Sequence, residues 1–221
     1  MTSFRARSFF ITLDGPEGSG KSSQCRWLVP WLRRKGYSVV ALHDPGSTAL
    51  GRTLRQALLH TNADLSPMAE ALLFIGGRVQ LVEERIAPAL AKHSVVVCDR
   101  FHDSTVAYQG FGGGLEVSWL NRWGRQAIHQ VMPHLTILLD LPTHRGFARL
   151  HRAPDRMESK ARAFHQRVRR GFLMLAHQDP RRVVVIDASQ SAKAVRKQIE
   201  VVVKKRLPSL VIRHSSLVTR H

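Results

Sequence analysis

The chain has 221 residues, 43% of them hydrophobic, which is enough for one α/β domain with a proper core and short for two. It carries 34 Lys and Arg against 16 Asp and Glu, a formal net charge of +18, so its surface should attract polyanions; the aromatic residues, at 7%, do not interleave with the basic runs as stacking platforms for nucleic acid would. No run of about 18 apolar residues occurs, so a membrane-spanning helix is not expected.

Five short runs of apolar, mostly β-branched residues are predicted to be strands. Their near-continuous apolar character is typical of strands covered on both faces, as in a parallel sheet. The first run lacks the long apolar region and the cleavage site of a signal peptide, so it is assigned to the sheet. The runs are FFITL (9–13), YSVVALH (37–43), SVVVCD (94–99), LTILLDL (135–141) and RVVVIDA (182–188). Because these strands alternate with helical segments, they predict a doubly wound α/β fold.

The segments between the runs have helical spacing. The segment 22–36 ends in basic residues and a glycine, which is a typical helix end, and Pro30 inside it is expected to kink the helix or mark an early turn. The segment 66–93 opens with Ser66-Pro67, a capping residue followed by proline at the first helical position. The glycine-rich residues 110–114 are predicted to be the most flexible point. We expect a single domain over residues 1–207 and a basic C-terminal tail over 208–221.

The two cysteines, Cys25 and Cys98, each lie among apolar residues. Neither has the partners that a disulfide framework or a metal site would need, so both are expected to be buried and reduced. This cysteine usage indicates a cytoplasmic protein.

Residues 15–22 match the phosphate-binding pattern G-x-x-x-x-G-K-[ST] at every fixed position, between a predicted strand and a predicted helix. In such a loop the glycines let backbone N–H groups point at phosphate oxygens, and the helix that follows adds its positive end. Lys21 is expected to reach the terminal phosphates of a nucleoside triphosphate, and Ser22 to bind Mg²⁺. The residues expected to hold the nucleotide are Gly15, Pro16, Glu17, Gly18, Ser19, Gly20, Lys21, Ser22 and Ser23.

Asp99 ends the third predicted strand, at the edge where ligands bind in open parallel sheets. It is expected to orient the water shell of Mg²⁺; the alternative is an ordinary strand-end cap. Arg100 follows directly, and its planar guanidinium can bridge donor and acceptor phosphates. The N-K-x-D motif of GTPases is absent, which argues against a GTPase.

Six ordered segments together resemble thymidylate kinases, which phosphorylate dTMP to dTDP with Mg-ATP. The segments, which span about residues 8–205, are DGPEGSGKSSQ, DPGSTALGRTLRQALL, AEALLFIGGRVQLVEERIAPAL, VVVCDRFHDSTVAYQG, DRME and VIDAS. The resemblance implies a P-loop three-layer sandwich, with a five-stranded parallel sheet flanked by helices and a short lid. It also implies ATP as phosphoryl donor, Mg²⁺ as cofactor, and a homodimer formed through the long apolar helices.

The resemblance further implies an acceptor site for dTMP. Phe74 matches the aromatic residue that stacks on thymine, and Arg78, on the same helix face, matches the residue that hydrogen-bonds the thymine carbonyl edge. Arg100 matches the arginine that grips the acceptor phosphate. Tyr108 matches the aromatic residue that crowds the sugar 2′ position, and Glu17 matches the acid that meets the 3′-hydroxyl or its water network. The full expected set is Phe74, Arg78, Arg100, Ser104, Thr105, Tyr108 and Gln109, of which Gln109 has a structural role as its alternative.

The basic stretch after the fourth predicted strand resembles the lid that small kinases close over the transferring phosphoryl group. The interior of the phosphate loop, PEGS, has no arginine, so the resemblance implies a catalytic arginine supplied by a lid at about residues 145–160. Arg149, Arg152 and Arg156 are the candidates for it, and Arg156 is also expected to contact the nucleotide. Pro154 is expected to break the helix here, and Glu158 matches an acid that flanks the lid.

The chain departs from the family pattern at several positions, among them Phe101, where tyrosine or histidine is common, and a short lid. Residues 43–48 read HDPGST where R-E-P-G-G-T is usual, so one cation is lost, Asp44 is a shorter acid, and Ser47 would be strained if its φ were positive. Gly76 and Gly77 stand where alanines are usual, at a cost of about 1 kcal/mol each in a helix. Two alternatives stay open: another deoxynucleotide or deoxynucleoside kinase, and a basic nucleic-acid-binding P-loop protein that contacts its partner only through non-specific positive charge.

Overall fold

The computed structural model describes residues 8–61 and 63–207, so the predicted tail at 208–221 lies outside the described residues. A five-stranded parallel sheet forms its centre, in the spatial order β2-β3-β1-β4-β5. The strands are β1 (Phe9–Asp14), β2 (Val39–His43), β3 (Val95–Asp99), β4 (Leu135–Asp140) and β5 (Val183–Asp187). Each coincides with one of the predicted apolar runs, so the predicted fold class is confirmed.

Helices connect the strands and cover both faces of the sheet. They are α1 (Lys21–Arg34), α2 (Ala49–Leu59), α3 (Pro67–Leu81), α4 (Ala87–Ala91), α5 (His102–Thr105), α6 (Val117–Ala127), α7 (Thr143–Phe147), α8 (Arg162–Gln178) and α9 (Ala192–Arg206). Wider π-helical turns, Val82–Ile86 and Val106–Gly112, continue α3 into α4 and extend α5. Among the described residues no helix has the length and apolar character that crossing a membrane requires.

The two faces of the sheet bury different sets of helices. Odd-numbered side chains of β1, such as Ile11, pack under α1 and α9, together with Leu28 of α1 and Ile199 of α9. The even-numbered Phe10 packs on the opposite face, against Leu81 of α3 and the π turn that follows it. Because side chains alternate along a strand, the continuous apolar runs of the sequence supply both layers of core.

Two local predictions from proline were tested by the structure. Ser66 caps α3, since its hydroxyl accepts a hydrogen bond from Ala69 N at 3.2 Å and Pro67 takes the first helical position, as predicted. The helix α1 continues through Pro30 to Arg34, so this proline does not mark a helix end.

The expectation for residues 110–114 was wrong in one respect. Gly110 and Gly112 lie in the π-helical turn after α5, and both are buried. A Cβ atom on Gly112 would lie 2.7 Å from the Phe164 ring of α8. Gly110 and Gly112 therefore belong to a buried helical turn that packs closely on its neighbours, and the open part of this stretch is Gly113 and Gly114.

Candidate active site

The carboxyl ends of the strands open into a cavity of about 770 Å³. This edge is where ligands bind in parallel sheets, because the loops that leave the strands diverge there. Most of the predicted site residues line the cavity: Glu17, Gly18, Ser19, Gly20, Lys21, Ser22, Ser23, Phe74, Arg78, Asp99, Arg100, Ser104, Thr105, Tyr108, Gln109, Arg149 and Arg152.

The phosphate loop connects β1 to α1 and has a backbone that only glycine tolerates. Gly18 has φ of 65°, and a Cβ atom there would lie 2.1 Å from the carbonyl oxygen of Gly146 in α7. The loop therefore contacts the start of the lid segment directly. Gly20, also at positive φ, takes the N-cap position of α1, so the free N–H groups of this helix face the cavity.

Lys21 is buried under its own loop. Its ammonium donates hydrogen bonds to the carbonyl oxygens of Gly15 at 2.9 Å and Pro16 at 2.7 Å, so these two residues act through their backbone rather than by lining the cavity. Burial, and then the nearby Arg100 guanidinium, lower the pKa of Lys21 to about 8. The carbonyl oxygens that now accept from this ammonium are neutral, whereas a bound phosphate would bring a negative charge to it.

Ser22 and Asp99 meet at the base of the loop. The Ser22 hydroxyl donates a short hydrogen bond to Asp99 Oδ2. No group of three or more His, Cys, Asp or Glu side chains suited to a metal occurs among the described residues. One hydroxyl and one carboxylate fit Mg²⁺, which takes few protein ligands and completes its octahedron with water and phosphate oxygens.

Arg100 occupies the centre of the cavity in a strained conformation. Its φ of 67° is in the left-handed region, which non-glycine residues rarely adopt and which is enriched at functional sites. Its guanidinium donates to Ser104 Oγ at 3.3 Å, lies 3.5 Å from Glu17 Oε1, and stacks 5.0 Å above the Tyr108 ring. This placement presents a planar cation between the phosphate loop and the far end of the cavity.

Glu17 is a buried carboxylate with several partners. Tyr108 donates a short hydrogen bond to its Oε1. Burial opposes the ionisation of Glu17, but His165, Arg100 and Lys21 outweigh it and lower its pKa to about 2. The carboxylate is therefore ionised at neutral pH.

His165 was not predicted from the sequence. It lies on α8, is 1% exposed, and points Nδ1 at Glu17 Oε2 from 3.6 Å, while its ring packs edge-on against Phe147 of α7. Neither its ring nitrogens nor Glu17 Oε2 have a hydrogen-bond partner among the described residues. No sequence motif marks this histidine; only the fold brings α8 against the phosphate loop.

Arg78 and Phe74 form the other end of the cavity, on α3. Arg78 is 2% exposed; its Nε donates to Asp44 Oδ2 at 2.5 Å and its Nη2 to Thr105 Oγ1 at 2.9 Å, while the guanidinium lies over the Phe101 ring. Its Nη1 and Asp44 Oδ1 are buried without a partner in the described structure. Unpaired buried polar atoms beside a half-buried aromatic ring suit a ligand that carries both a flat ring and hydrogen-bonding edges.

The HDPGST departure is accommodated by its surroundings. Asp44, although shorter than the usual acid, reaches Arg78 in a direct ion pair. The positive φ in this turn, 139°, belongs to Gly46 and not to Ser47, so the strain considered for Ser47 does not arise. The Ser47 hydroxyl instead accepts a hydrogen bond from His43 N at 2.8 Å and stabilises the turn.

Asp14 and Ser104 extend the polar network beneath Arg100. Ser104 Oγ donates to Asp14 Oδ1 at 2.5 Å. Complete burial, together with the neighbouring charge of Asp103, raises the pKa of Asp14 to about 6. Arg182 compensates Asp103 from the other side, with its Nη1 at 2.6 Å from Asp103 Oδ2.

The lid segment follows α7, and its arginines differ in what they contact. Arg149 donates to the carbonyl oxygens of Gly18 at 3.4 Å and Ala188 at 3.1 Å, at the phosphate-loop end of the cavity. Arg152 forms a two-pronged ion pair with Glu158, at 2.9 and 2.7 Å. Residues 148–161 contain no helix, as Pro154 predicted.

Arg156 does not line the cavity in the described structure, so its expected contact with the nucleotide stays a prediction. Its guanidinium lies 2.8 Å from Glu70 Oε1 and donates to the carbonyl oxygen of Leu58 at 2.8 Å. Lys160 binds the same Glu70 oxygen at 2.9 Å, and Gln109 donates to the other at 3.2 Å. Glu70 therefore fastens the end of the lid segment to α3, and Gln109 has the structural contact that was its alternative.

Comparison with known proteins relates most of the chain to one family. Residues 13–199 match the family model described as Thymidylate kinase. A thymidylate kinase of Synechococcus sp. (strain JA-2-3B'a(2-13)) is 48% identical over 199 residues, which cover 90% of this chain and 96% of the relative. One from Deinococcus radiodurans is 40% identical over 203 residues, 91% and 98% of the two chains. The crystal structure of thymidylate kinase from Ehrlichia chaffeensis matches with a TM-score of 0.73 at 32% identity, over 89% of this chain and 98% of that one.

Proposed function

The chain belongs to the thymidylate kinase family, and from that premise we propose how its residues divide the reaction. The reaction is the phosphorylation of dTMP to dTDP with ATP as the donor. One observation carries the assignment of roles: a single cavity has a phosphate loop at one end, an aromatic–arginine pair at the other, and Arg100 between them. This is the order in which donor phosphates, transferring group and acceptor base must lie.

The donor end is proposed to hold ATP. The backbone N–H groups of the loop and Lys21 would bind the β- and γ-phosphates. Ser22 and Asp99 would hold Mg²⁺, which when bound neutralises charge on the phosphate oxygens. Arg149, which already touches the loop at Gly18, is placed to add a second cation as the lid closes.

The acceptor end is proposed to hold dTMP. The thymine ring would stack on Phe74, and the free Nη1 of Arg78 would donate to a thymine carbonyl oxygen. Arg100 would grip the 5′-phosphate and keep it in line with the donor. Tyr108, held by Glu17, would leave no room for a ribose 2′-hydroxyl.

Arg152 is proposed as the lid arginine that moves. Transfer needs positioning and charge neutralisation more than covalent chemistry from the protein. The side chain of Arg152 is 57% exposed, so its guanidinium has room to turn toward phosphate oxygens. The buried Glu158 would then keep the hydrogen bond that it accepts from Asp155 N at 2.9 Å.

The assignment of the two ends is tested by a pair of variants. Lys21→Ala should lower kcat by about three orders of magnitude while dTMP still binds, because it removes a cation that acts on the donor phosphates. Phe74→Ala should raise the Kd of dTMP while that of ATP stays unchanged. Calorimetric titration of each variant with ATP and with dTMP tests the assignment. It is contradicted if Lys21→Ala weakens the binding of dTMP, or if Phe74→Ala weakens the binding of ATP.

Three wider features are proposals that the site itself does not carry. We propose that residues 1–207 form one domain, that the protein is cytoplasmic, and that it forms a homodimer through α3.

Leu72 and Met68, one turn apart on that helix, are 54% and 39% exposed and offer an apolar surface to a second copy. Leu72→Glu should then convert a dimer to a monomer in sedimentation velocity, and a wild-type chain that sediments as a monomer would contradict the proposal.

A further inference from the structure

The two helices on one side of the sheet, α1 and α9, carry an excess of positive charge that the kinase reaction does not use. Residues 21–35 and 191–207 hold ten Lys and Arg besides the buried Lys21, and one acid, Glu200. Without Lys21, the net charge of these two segments is +9, which is half of the formal +18 of the whole chain. We call the outward side of these two helices the basic face; its cations are Arg26, Arg33, Arg34, Lys35, Lys193, Arg196, Lys197, Lys204, Lys205 and Arg206.

The basic face is regular because its charges follow helical spacing. Lys193, Lys197 and Lys204 recur at intervals of four and seven residues on α9, and Arg26 and Arg33 are seven apart on α1, so each set lies on one side of its helix. The helices lie side by side, since Gln24 of α1 donates to the carbonyl oxygen of Ala192 at 3.4 Å. The result is two neighbouring rows of cations.

Several of these cations have no partner among the residues that the structure describes. The side chains of Arg34, Lys35, Lys193, Lys197 and Lys205 are exposed and make no hydrogen bond or ion pair with any of residues 8–61 and 63–207. Such like charges repel one another and destabilise the folded chain unless an anion is near. One acid lies on this face, Glu200, and it pairs with Lys204 at 2.6 Å. The other nine cations make no ion pair with the described residues, whereas an ordinary solvated face mixes the two signs of charge in similar numbers.

We propose that the basic face binds the phosphodiester backbone of double-stranded nucleic acid without sequence preference. The row from Lys193 to Lys204 is about 17 Å long, which spans about five phosphates of one strand at about 3.4 Å per base pair. A membrane surface would need exposed apolar side chains among the cations. On this face the large exposed apolar residue is Val201 alone, and Trp27 is half-buried beneath Arg196.

Fluorescence anisotropy of a labelled 20-base-pair DNA duplex, titrated with the full chain between 50 and 200 mM salt, tests the proposal. The test variant replaces Arg34, Lys197 and Lys205 with Gln, which keeps helix propensity. The matched control replaces Lys92, Arg122 and Arg170 with Gln; their side chains are exposed and unpaired in the described structure. Arg122 lies on α6, Arg170 on α8 and Lys92 directly after α4, all on the other side of the sheet. Both variants lose three positive charges, and neither changes a residue assigned to the reaction.

The wild-type chain should bind the duplex with a log–log salt slope of about −3 to −4, as expected for about four phosphate contacts. The test variant should bind at least about tenfold more weakly at 50 mM salt, with a slope that is shallower by about 2 to 3. The control should lose no more than about threefold, since it changes only long-range charge. dTMP kinase activity within twofold of wild type in both variants shows that they fold.

Three results would overturn the proposal. One is equal weakening in the test and control variants, which would mean that total charge and not this face attracts the duplex. A second is no measurable binding of the wild-type chain at 50 mM salt. The third is binding to vesicles that contain phosphatidylserine but not to the duplex, which would make the basic face a membrane-contact surface. None of them bears on the kinase reaction, which is measured separately.

Discussion

Replacing Arg78 with methionine separates the two tasks that its guanidinium performs. In the structure it compensates the fully buried Asp44, and its Nη1 is buried without a hydrogen-bond partner among the described residues. Arg78→Met should therefore destabilise the fold and weaken dTMP binding, through different atoms of one side chain.

The magnitudes follow from burial. Breaking a buried ion pair by removing one partner costs about 3–5 kcal/mol, because a charge stays buried without compensation. A hydrogen bond from a charged donor to the thymine carbonyl is worth about 1.5–3 kcal/mol, so the Kd of dTMP should rise about tenfold to hundredfold. The affinity for ATP, which binds at the other end of the cavity, should stay unchanged.

A second substitution distinguishes the two effects. Asp44→Asn, added to Arg78→Met, removes the stranded charge, so urea denaturation should show recovery of at least about 2 kcal/mol relative to the sum of the single variants. The double variant should still bind dTMP as weakly as Arg78→Met alone. Additive losses of stability, or dTMP affinity restored by Asp44→Asn, would refute this account of the pair.

Three further predictions concern other parts of the molecule. With a pKa of about 8, Lys21 of the free enzyme should lose its proton as the pH rises through 8, so kcat/KM for ATP should fall on the basic side with that apparent pKa; a flat profile to pH 10 would contradict it. His165→Phe keeps the ring packing but removes the group nearest Glu17 Oε2, so the pKa of Glu17 should rise. We therefore expect kcat to fall about tenfold and the acidic limb of the pH profile to move to higher pH. An unchanged kcat and an unchanged pH profile would mean that the histidine only packs. Gly76→Ala should raise Tm by about 2–4 °C, since an added Cβ meets no atom within 4 Å, whereas Gly77→Ala should gain less because its Cβ would lie 3.1 Å from Leu54; calorimetry that shows equal shifts would contradict the packing argument.

The strands and the phosphate loop were predictable because their signals are local. A β-branched run between polar segments and the G-x-x-x-x-G-K-[ST] spacing are each complete within a few residues, so Val95–Asp99 and Lys21 follow from the sequence alone. The acceptor residues needed the family resemblance, because a phenylalanine and an arginine four residues apart on a helix have many other uses. Phe74 and Arg78 do line one cavity with the phosphate loop.

The features that the sequence did not reveal depend on contacts distant in sequence. His165 faces Glu17 across 148 residues of chain, a relation that no periodicity encodes. Arg156 is expected at the nucleotide because it is a cation near the lid, and its pairing with Glu70 of α3 has no local signal. The glycines near residue 112 indicated flexibility, yet in the fold they remove side chains where two helices touch. In each case tertiary packing decided what local composition left open.

Chromatographic measurement of the diphosphate formed from ATP and each of dTMP, dUMP, dCMP, dGMP and UMP tests the central claim most directly. The account predicts that dTDP forms fastest, that UMP is rejected because Tyr108 crowds the 2′ position, and that Arg78→Met narrows the preference for dTMP over dCMP. Equal rates with all acceptors, or ATP hydrolysis that needs no acceptor, would contradict it.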